Sequence, residues 1–109
     1  MEVKRGDLIA VALSGDYGKP RPALIVQADH FAELPSVTIL PLTSELRSEH
    51  LLRVTVEPNR QNGLRSPSQI MVDKLSTISR ARTGKRIGHL DARTMQVVDG
   101  ALAKFLALA

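Results

Sequence analysis

Apolar residues come in short runs along most of the chain and switch to helical spacing only near its end. Residues 8–13 (LIAVAL) form a continuous apolar run, followed by the turn-rich stretch Ser14-Gly15-Asp16-Tyr17-Gly18-Lys19-Pro20. Arg21 and Pro22 lead into a second run at residues 23–27. Val37-Thr38-Ile39-Leu40 predicts a third strand, closed by Pro41. Residues 52–57 (LRVTVE) alternate apolar and polar with period two, the mark of a half-buried strand. Residues 69–73 and 75–78 predict two more strands and residues 85–89 a last one, with Gly and Pro punctuating the gaps, notably at 58–63 and Ser66-Pro67.

The period changes after residue 90. Asp91 is placed to cap a helix, and Met95, Val98, Leu102, Phe105 and Ala109 then recur at steps of three and four. This predicts an amphipathic helix of about four to five turns. Gly100 within it weakens the helix by about 1 kcal/mol relative to Ala, unless close packing needs it. No repeat, low-complexity tract or linker interrupts the pattern, so one domain over residues 1–109 is expected. Six or seven short strands ending in one packed helix predict a mainly β (α+β) fold, a strongly curved barrel or half-barrel. The periodicity leaves the strand order open.

Composition narrows the chemistry. A hydrophobic content of 43% is enough for a core, and with three aromatic residues that core is aliphatic. Cysteine is absent, which excludes disulfides, thiolate nucleophiles and Cys-based zinc sites together. His30, His50 and His89 are too widely spaced for a short metal-binding motif, so no metal or cofactor is implied. No apolar stretch approaches the about 18 residues of a membrane span, and the charged start shows no signal-peptide pattern; a soluble cytoplasmic protein is expected. The net charge is +4, and ten of the 15 basic residues are Arg, the side chain suited to bidentate phosphate contact. Nucleic acid is therefore the first partner to consider, against the plainer reading of a solvated basic surface.

Several segments, in order along nearly the whole chain, resemble the MazF/PemK (Kid) toxin family. Lys4-Arg5-Gly6-Asp7 resembles the family's opening before its first strand. Gly18-Lys19-Pro20-Arg21-Pro22-Ala23-Leu24-Ile25-Val26-Gln27 resembles its glycine-rich loop and second strand. Pro41-Leu42-Thr43-Ser44 stands at the family's strand-ending threonine. Gly63-Leu64, Ser68-Gln69-Ile70-Met71-Val72-Asp73, Ile87-Gly88-His89-Leu90-Asp91 and the terminal helix complete the order. Each motif alone is weak; six in order are specific. The resemblance implies an SH3-like small barrel of six to seven strands with a C-terminal helix, assembled as a homodimer. It also implies a metal-independent endoribonuclease (mRNA interferase) acting on single-stranded RNA, restrained by a cognate antitoxin with a disordered tail.

RNA needs no metal for cleavage, because its own 2′-hydroxyl is a neighbouring nucleophile. The protein must orient that hydroxyl, stabilise charge on the phosphoryl oxygens and help protons move. The resemblance makes Arg21 catalytic. Its flanking prolines restrict the local backbone, and its guanidinium can donate two hydrogen bonds to a phosphoryl group. Thr43 is the second candidate, as a hydroxyl donor on a stiff β-branched side chain, with Ser44 offering another donor.

Asp73 is a secondary candidate, standing where PemK/Kid-type members carry a catalytic acid; a surface ion pair with Lys74 is the rival reading. Two departures separate the chain from that subgroup: Met71 replaces an arginine, and the first loop lacks a histidine and carries Tyr17, which can stack on a base. Lys19 and the cluster Arg80, Arg82, Lys85 and Arg86 are candidates for the RNA backbone. His89 reads as a structural, hydrogen-bonded histidine. Two other functions suit the same architecture: a CcdB-like non-enzymatic gyrase poison acting through the end of its helix, and a noncatalytic nucleic-acid-binding barrel.

Overall fold

The computed structural model describes residues 3–12, 19–48 and 51–108. In chain order these form β1 (Asp7–Val11), β2 (Arg21–Ile25), β3 (Ser36–Thr43), β4 (Arg53–Val56), β5 (Ser68–Met71), β6 (Ser76–Ser79), β7 (Thr83–His89) and the helix α1 (Ala92–Phe105). Every pairing is antiparallel, in the order β4-β5-β3-β2-β1-β7, with β6 added to β3.

The long strand β3 organises this sheet. One of its edges pairs with β2 from Ile39 to Pro41, while the other pairs first with β6, up to Ile39, and then with β5, from Leu42. Pro41 therefore does not close the strand as its sequence context suggests. It lies opposite Ala23 and, on the other edge, in the step between the β6 and β5 ladders. Such a step tolerates a residue that has no N–H to donate.

The continuous apolar runs have a direct cause, because both faces of the central strands are covered. Leu8, Leu24 and Leu40 join Leu42, Ile70, Val72, Met95 and Val98 in a core under the helix. Ile9, Ala23, Ile25 and Ile39 point the other way, into a second buried cluster with Val11, Val37 and Ile78. Emptying one of these positions, Leu40→Ala for example, costs about 2–5 kcal/mol. Among the described residues the sheet does not close into a complete barrel. The loop at 57–64 spans the gap, and the His89 N–H donates to the Gln61 carbonyl (2.9 Å).

The helix starts as the sequence predicts: the Asp91 carboxylate accepts from the Thr94 N–H at 2.7 Å. Met95 and Val98 are buried and Leu102 is half-buried, but Phe105 is 43% exposed. The helix packs on β4 and on the 3-10 turn Val72–Lys74, so its last turn extends beyond what it covers. Ala109, like Leu13, lies outside the described residues. No helix among the described residues is long and apolar enough to cross a membrane.

Gly100 resolves the packing question raised by the sequence. It sits mid-helix, and a Cβ added there meets nothing within 4 Å. Gly100→Ala is therefore expected to stabilise the fold by about 0.5–1 kcal/mol, read as a higher urea midpoint with an unchanged slope. An unchanged or lower midpoint would contradict this account of the helix.

Candidate active site

An open groove of about 730 Å³ runs between four segments: the approach to β2, the end of β3, the loop before β5 and the middle of β7. Lys19, Arg21 and Pro22 line it from the first segment, and Leu42, Thr43 and Ser44 from the second. Gly63, Leu64, Arg65, Ser66 and Ser68 come from the third, and Lys85, Arg86 and Ile87 from the fourth. Five of the described lining side chains are Lys or Arg and none is Asp or Glu. Such an imbalance favours a polyanion, because the excess of positive charge along the groove wall attracts phosphates.

Arg21 opens β2 opposite Val11, so its backbone is held by the sheet while its side chain remains exposed at the groove. Thr43 closes β3. Its Oγ1 accepts from the Glu45 N–H at 3.0 Å, which fixes the oxygen and leaves the hydroxyl proton to donate. The loop beyond it is clamped by Gln69, which lies opposite Thr43 in the sheet and is 5% exposed. Gln69 Oε1 accepts from the Arg47 N–H (3.0 Å), and its Nε2 donates to the Arg47 carbonyl (2.9 Å). Arg53 adds a bond from its guanidinium to the Glu45 carbonyl at 3.0 Å.

β7 departs from regular pairing in a way that shapes the groove. Leu8 pairs with Gly88, Ile9 with Arg86 and Val11 with Thr83, so the register slips twice within one strand. A regular strand sends successive side chains to opposite faces, whereas bulges re-aim them. Three consecutive residues of this irregular stretch, Lys85, Arg86 and Ile87, line the same groove.

Arg86 is also tied down from below. Its Nε lies 3.2 Å from Asp7 Oδ1, and His89 Nδ1 lies 2.9 Å from the same oxygen. The other carboxylate oxygen accepts from the Lys4 N–H at 2.8 Å. Asp7 is only 3% exposed, so this is a buried charge whose lone pairs are used. An ionised carboxylate only accepts, which places a proton on His89 Nδ1. Burial alone raises the Asp7 pKa, but the bonds from His89, the Lys4 N–H and Arg86 together outweigh it and hold it below the usual value of 3.8. The rest of the Arg5-Gly6-Asp7 motif is structural too. Arg5 donates to the Val26 carbonyl (3.1 Å) and pairs with Asp99 on α1, and the Gly6 N–H donates to the Ile25 carbonyl (2.8 Å).

The third wall is a rigid loop. Asn62 is 1% exposed; its Oδ1 accepts from the Asn59 and Leu64 N–H groups, and its Nδ2 donates to the Glu57 carbonyl. Gly63 has φ +68°, and a Cβ there would lie 2.3 Å from the Ile87 carbonyl oxygen. Across the contact, a Cβ on Gly88 would lie 2.4 Å from the Asn62 backbone. Both glycines are required by this close approach, which seats the loop on β7.

The residues singled out in the sequence thus divide. Arg21, Thr43, Ser44, Lys19, Lys85 and Arg86 come together in the groove. Asp73 does not line it. The strand expected to run through Asp73 ends at Met71, and Val72–Lys74 turn away in a 3-10 turn packed against α1, with Val72 fully buried. Arg80 and Arg82 leave the cluster as well, since they serve backbone carbonyls. Arg80 Nε donates to Leu34 (2.6 Å) and Arg82 Nη2 to Ala12 (2.6 Å). Tyr17 and His50 lie outside the described residues. Arg65, Ser66 and Ser68 line the groove without having been named as site candidates, since isolated polar residues after a turn carry no pattern that would mark them. Among the described residues no three His, Cys, Asp or Glu side chains gather as metal ligands would.

Asp7 carries a prediction for stability. Its folded-state pKa is lowered, so the stability it adds is fully present above its unfolded value near 3.8 and is lost as pH falls through the lower folded value. Asp7→Asn is expected to cost about 2 kcal/mol at pH 7, through the unpaired Arg86 and the lost buried bonds. The gap to wild type should narrow below about pH 4 in urea titrations run across pH. A gap of constant size down to pH 2 would count against it.

Comparison with known proteins places this geometry. The chain is 41% identical over 108 residues to a probable endoribonuclease MazF of Mycolicibacterium smegmatis, covering 98% of this chain and 99% of that one. It is 33% identical over 116 residues to the endoribonuclease EndoA of Bacillus subtilis, covering 99% and 97%. Among solved structures, the Mycobacterium tuberculosis toxin MazF-mt6 superposes with a TM-score of 0.81 at 28% identity, covering 94% of this chain and 98% of that one. Residues 4–106 match the family described as PemK-like, MazF-like toxin of type II toxin-antitoxin system, and the chain belongs to that family.

Proposed function

We propose that this chain is the toxin of a type II toxin–antitoxin pair, an endoribonuclease that cuts single-stranded RNA in the cytoplasm and so inhibits translation and growth. The observation that carries this reading is the groove: Arg21 and Thr43 meet there among further cations, with no carboxylate among its described lining residues. The relatives named as endoribonucleases support the same reading.

The chemistry follows from what the groove offers. The substrate's 2′-hydroxyl attacks the adjacent phosphorus in line, the 5′-oxygen leaves, and the products are a 2′,3′-cyclic phosphate and a 5′-hydroxyl end. Negative charge grows on the non-bridging oxygens as the new bond forms. The Arg21 guanidinium donates to those oxygens in the plane of its fork, and the Thr43 hydroxyl adds a third donor. Because both are held by strand ends before substrate arrives, little reorganisation is needed at the moment of reaction. Arg21 is assigned charge stabilisation and no proton transfer, since a guanidinium with a pKa above about 12 is a poor base. Lys19, Lys85 and Arg86 hold the RNA backbone, and Ser44 offers a second hydroxyl.

The same charge defines the partners. An antitoxin with a disordered acidic tail would neutralise the groove and fold along it. A two-fold homodimer would extend the groove of one small subunit.

RNA cleavage in excess EDTA, with end-group analysis, tests the reading. Wild type is expected to cut single-stranded RNA with cyclic phosphate ends. Arg21→Ala should lose about 100- to 1,000-fold in kcat, and Thr43→Val about tenfold. Asp73→Asn should cut at close to the wild-type rate; a loss as deep as that of Arg21→Ala would return the acid to the mechanism. RNA left intact by wild type, with gyrase–DNA complexes trapped instead, would replace the ribonuclease reading with the gyrase-poison one.

A further inference from the structure

Arg65 lies in the groove and belongs to none of the strands that carry Arg21 and Thr43. It follows the loop that Asn62 locks from within and that Gly63 and Gly88 seat against β7. Leu64, its neighbour, is only 9% exposed and is packed in the main core, so the backbone at Arg65 is anchored on its N-terminal side. On the other side Ser68, 5% exposed, donates to the Ser66 carbonyl at 3.0 Å and tightens the turn into β5. A flexible, exposed side chain thus stands on an unusually fixed base. Among the described residues its guanidinium has no ion-paired or hydrogen-bonded partner that would account for its placement.

We propose that Arg65 is a substrate-binding residue that holds a phosphodiester flanking the scissile one, giving the RNA a second fixed point in the groove. This rests on the ribonuclease reading for the identity of the ligand. Three observations favour a phosphate over a base edge. The described lining offers several cations and no carboxylate, so the groove selects for charge before it selects for sequence. A groove of about 730 Å³ is large for the scissile phosphate alone, and Arg65 approaches it from a segment different from those of Arg21 and Thr43. A preorganised guanidinium also loses less freedom on binding than one on a mobile loop. Held equally in the ground and transition states, such a contact adds to RNA binding and leaves the chemical step to Arg21 and Thr43.

Binding is measured with a single-stranded RNA oligonucleotide 2′-O-methylated at every position, which removes the nucleophile, and with a second oligonucleotide of unrelated sequence. Arg65→Ala is expected to weaken both about tenfold at low salt. It should also lower the slope of log Kd against log salt by about 0.7, the share of one phosphate contact on a single strand. Arg65→Lys should keep the slope. On unmodified RNA, KM should rise by the same factor for Arg65→Ala while kcat stays near wild type. Unchanged affinity and slope would overturn the proposal, and so would a loss confined to one oligonucleotide with the slope intact, which would mark a base contact. If wild type binds both oligonucleotides but leaves unmodified RNA uncut, the ribonuclease reading fails while the Arg65 slope still decides this one. If wild type cuts RNA and Arg65→Ala binds like wild type, only this inference fails.

Discussion

A carboxylate buried where β1 begins ties together the parts that build the groove. Asp7 receives the Lys4 N–H, the His89 ring and the Arg86 guanidinium, and so fixes the start of β1 to the end of β7. Arg5 fixes the same corner to the end of β2 and to α1. The two walls that carry Arg21 and Arg86 are held to one point. A buried charge is an expensive way to do this unless every partner is present, and here two of the three, Arg86 and His89, come from β7, some eighty residues along the chain. The corner is therefore sensitive to the folding of the whole domain, and Arg86 reaches the groove with its position already set.

The groove itself is the complementary case. The described groove lining carries five cations and no carboxylate of its own, and Asp7, outside that lining, engages Arg86. Substrate phosphates complete the balance. Thr43 adds a directed hydroxyl because Glu45 has claimed its acceptor side, and Gln69 and Arg53 keep that turn in place. The fixed turn after Thr43 and the seated loop before β5 suit a mechanism in which the protein supplies oriented dipoles and charges and the substrate supplies its own nucleophile.

Much of this was legible in the sequence, and the failures have identifiable causes. Alternation and apolar runs located the strands, and Asp91 with its three- and four-residue steps located the helix, because these patterns are local. The resemblance of Arg21 and Thr43 to family positions anticipated residues that share one groove. Pro41 misled because a strand can hold a proline where its edge passes from one neighbour to another, a matter of pairing that no single strand reveals. Asp73 stands away from the groove because the chain leaves the ladder at Met71, where Val72 is buried, a packing matter that the sequence of the strand does not reveal. The basic cluster at 80–86 divided for the same kind of reason: Arg80 and Arg82 meet carbonyls of distant segments, while Lys85 and Arg86, in the irregular stretch of β7, both line the groove. Arg65 was invisible because a lone arginine after a turn carries no pattern; only the seating of that turn on Gly88 gives it meaning.

The central claim is that the RNA provides the nucleophile and the groove provides charge. It is tested most directly with one oligonucleotide carrying a single 2′-deoxy residue immediately 5′ of the cleaved bond. The account predicts wild-type affinity for this substrate and no cleavage at that bond, with cutting unaffected in the all-ribose control. Cleavage of the deoxy-substituted bond at a rate near that of the control would show that the nucleophile comes from elsewhere, and would contradict the account.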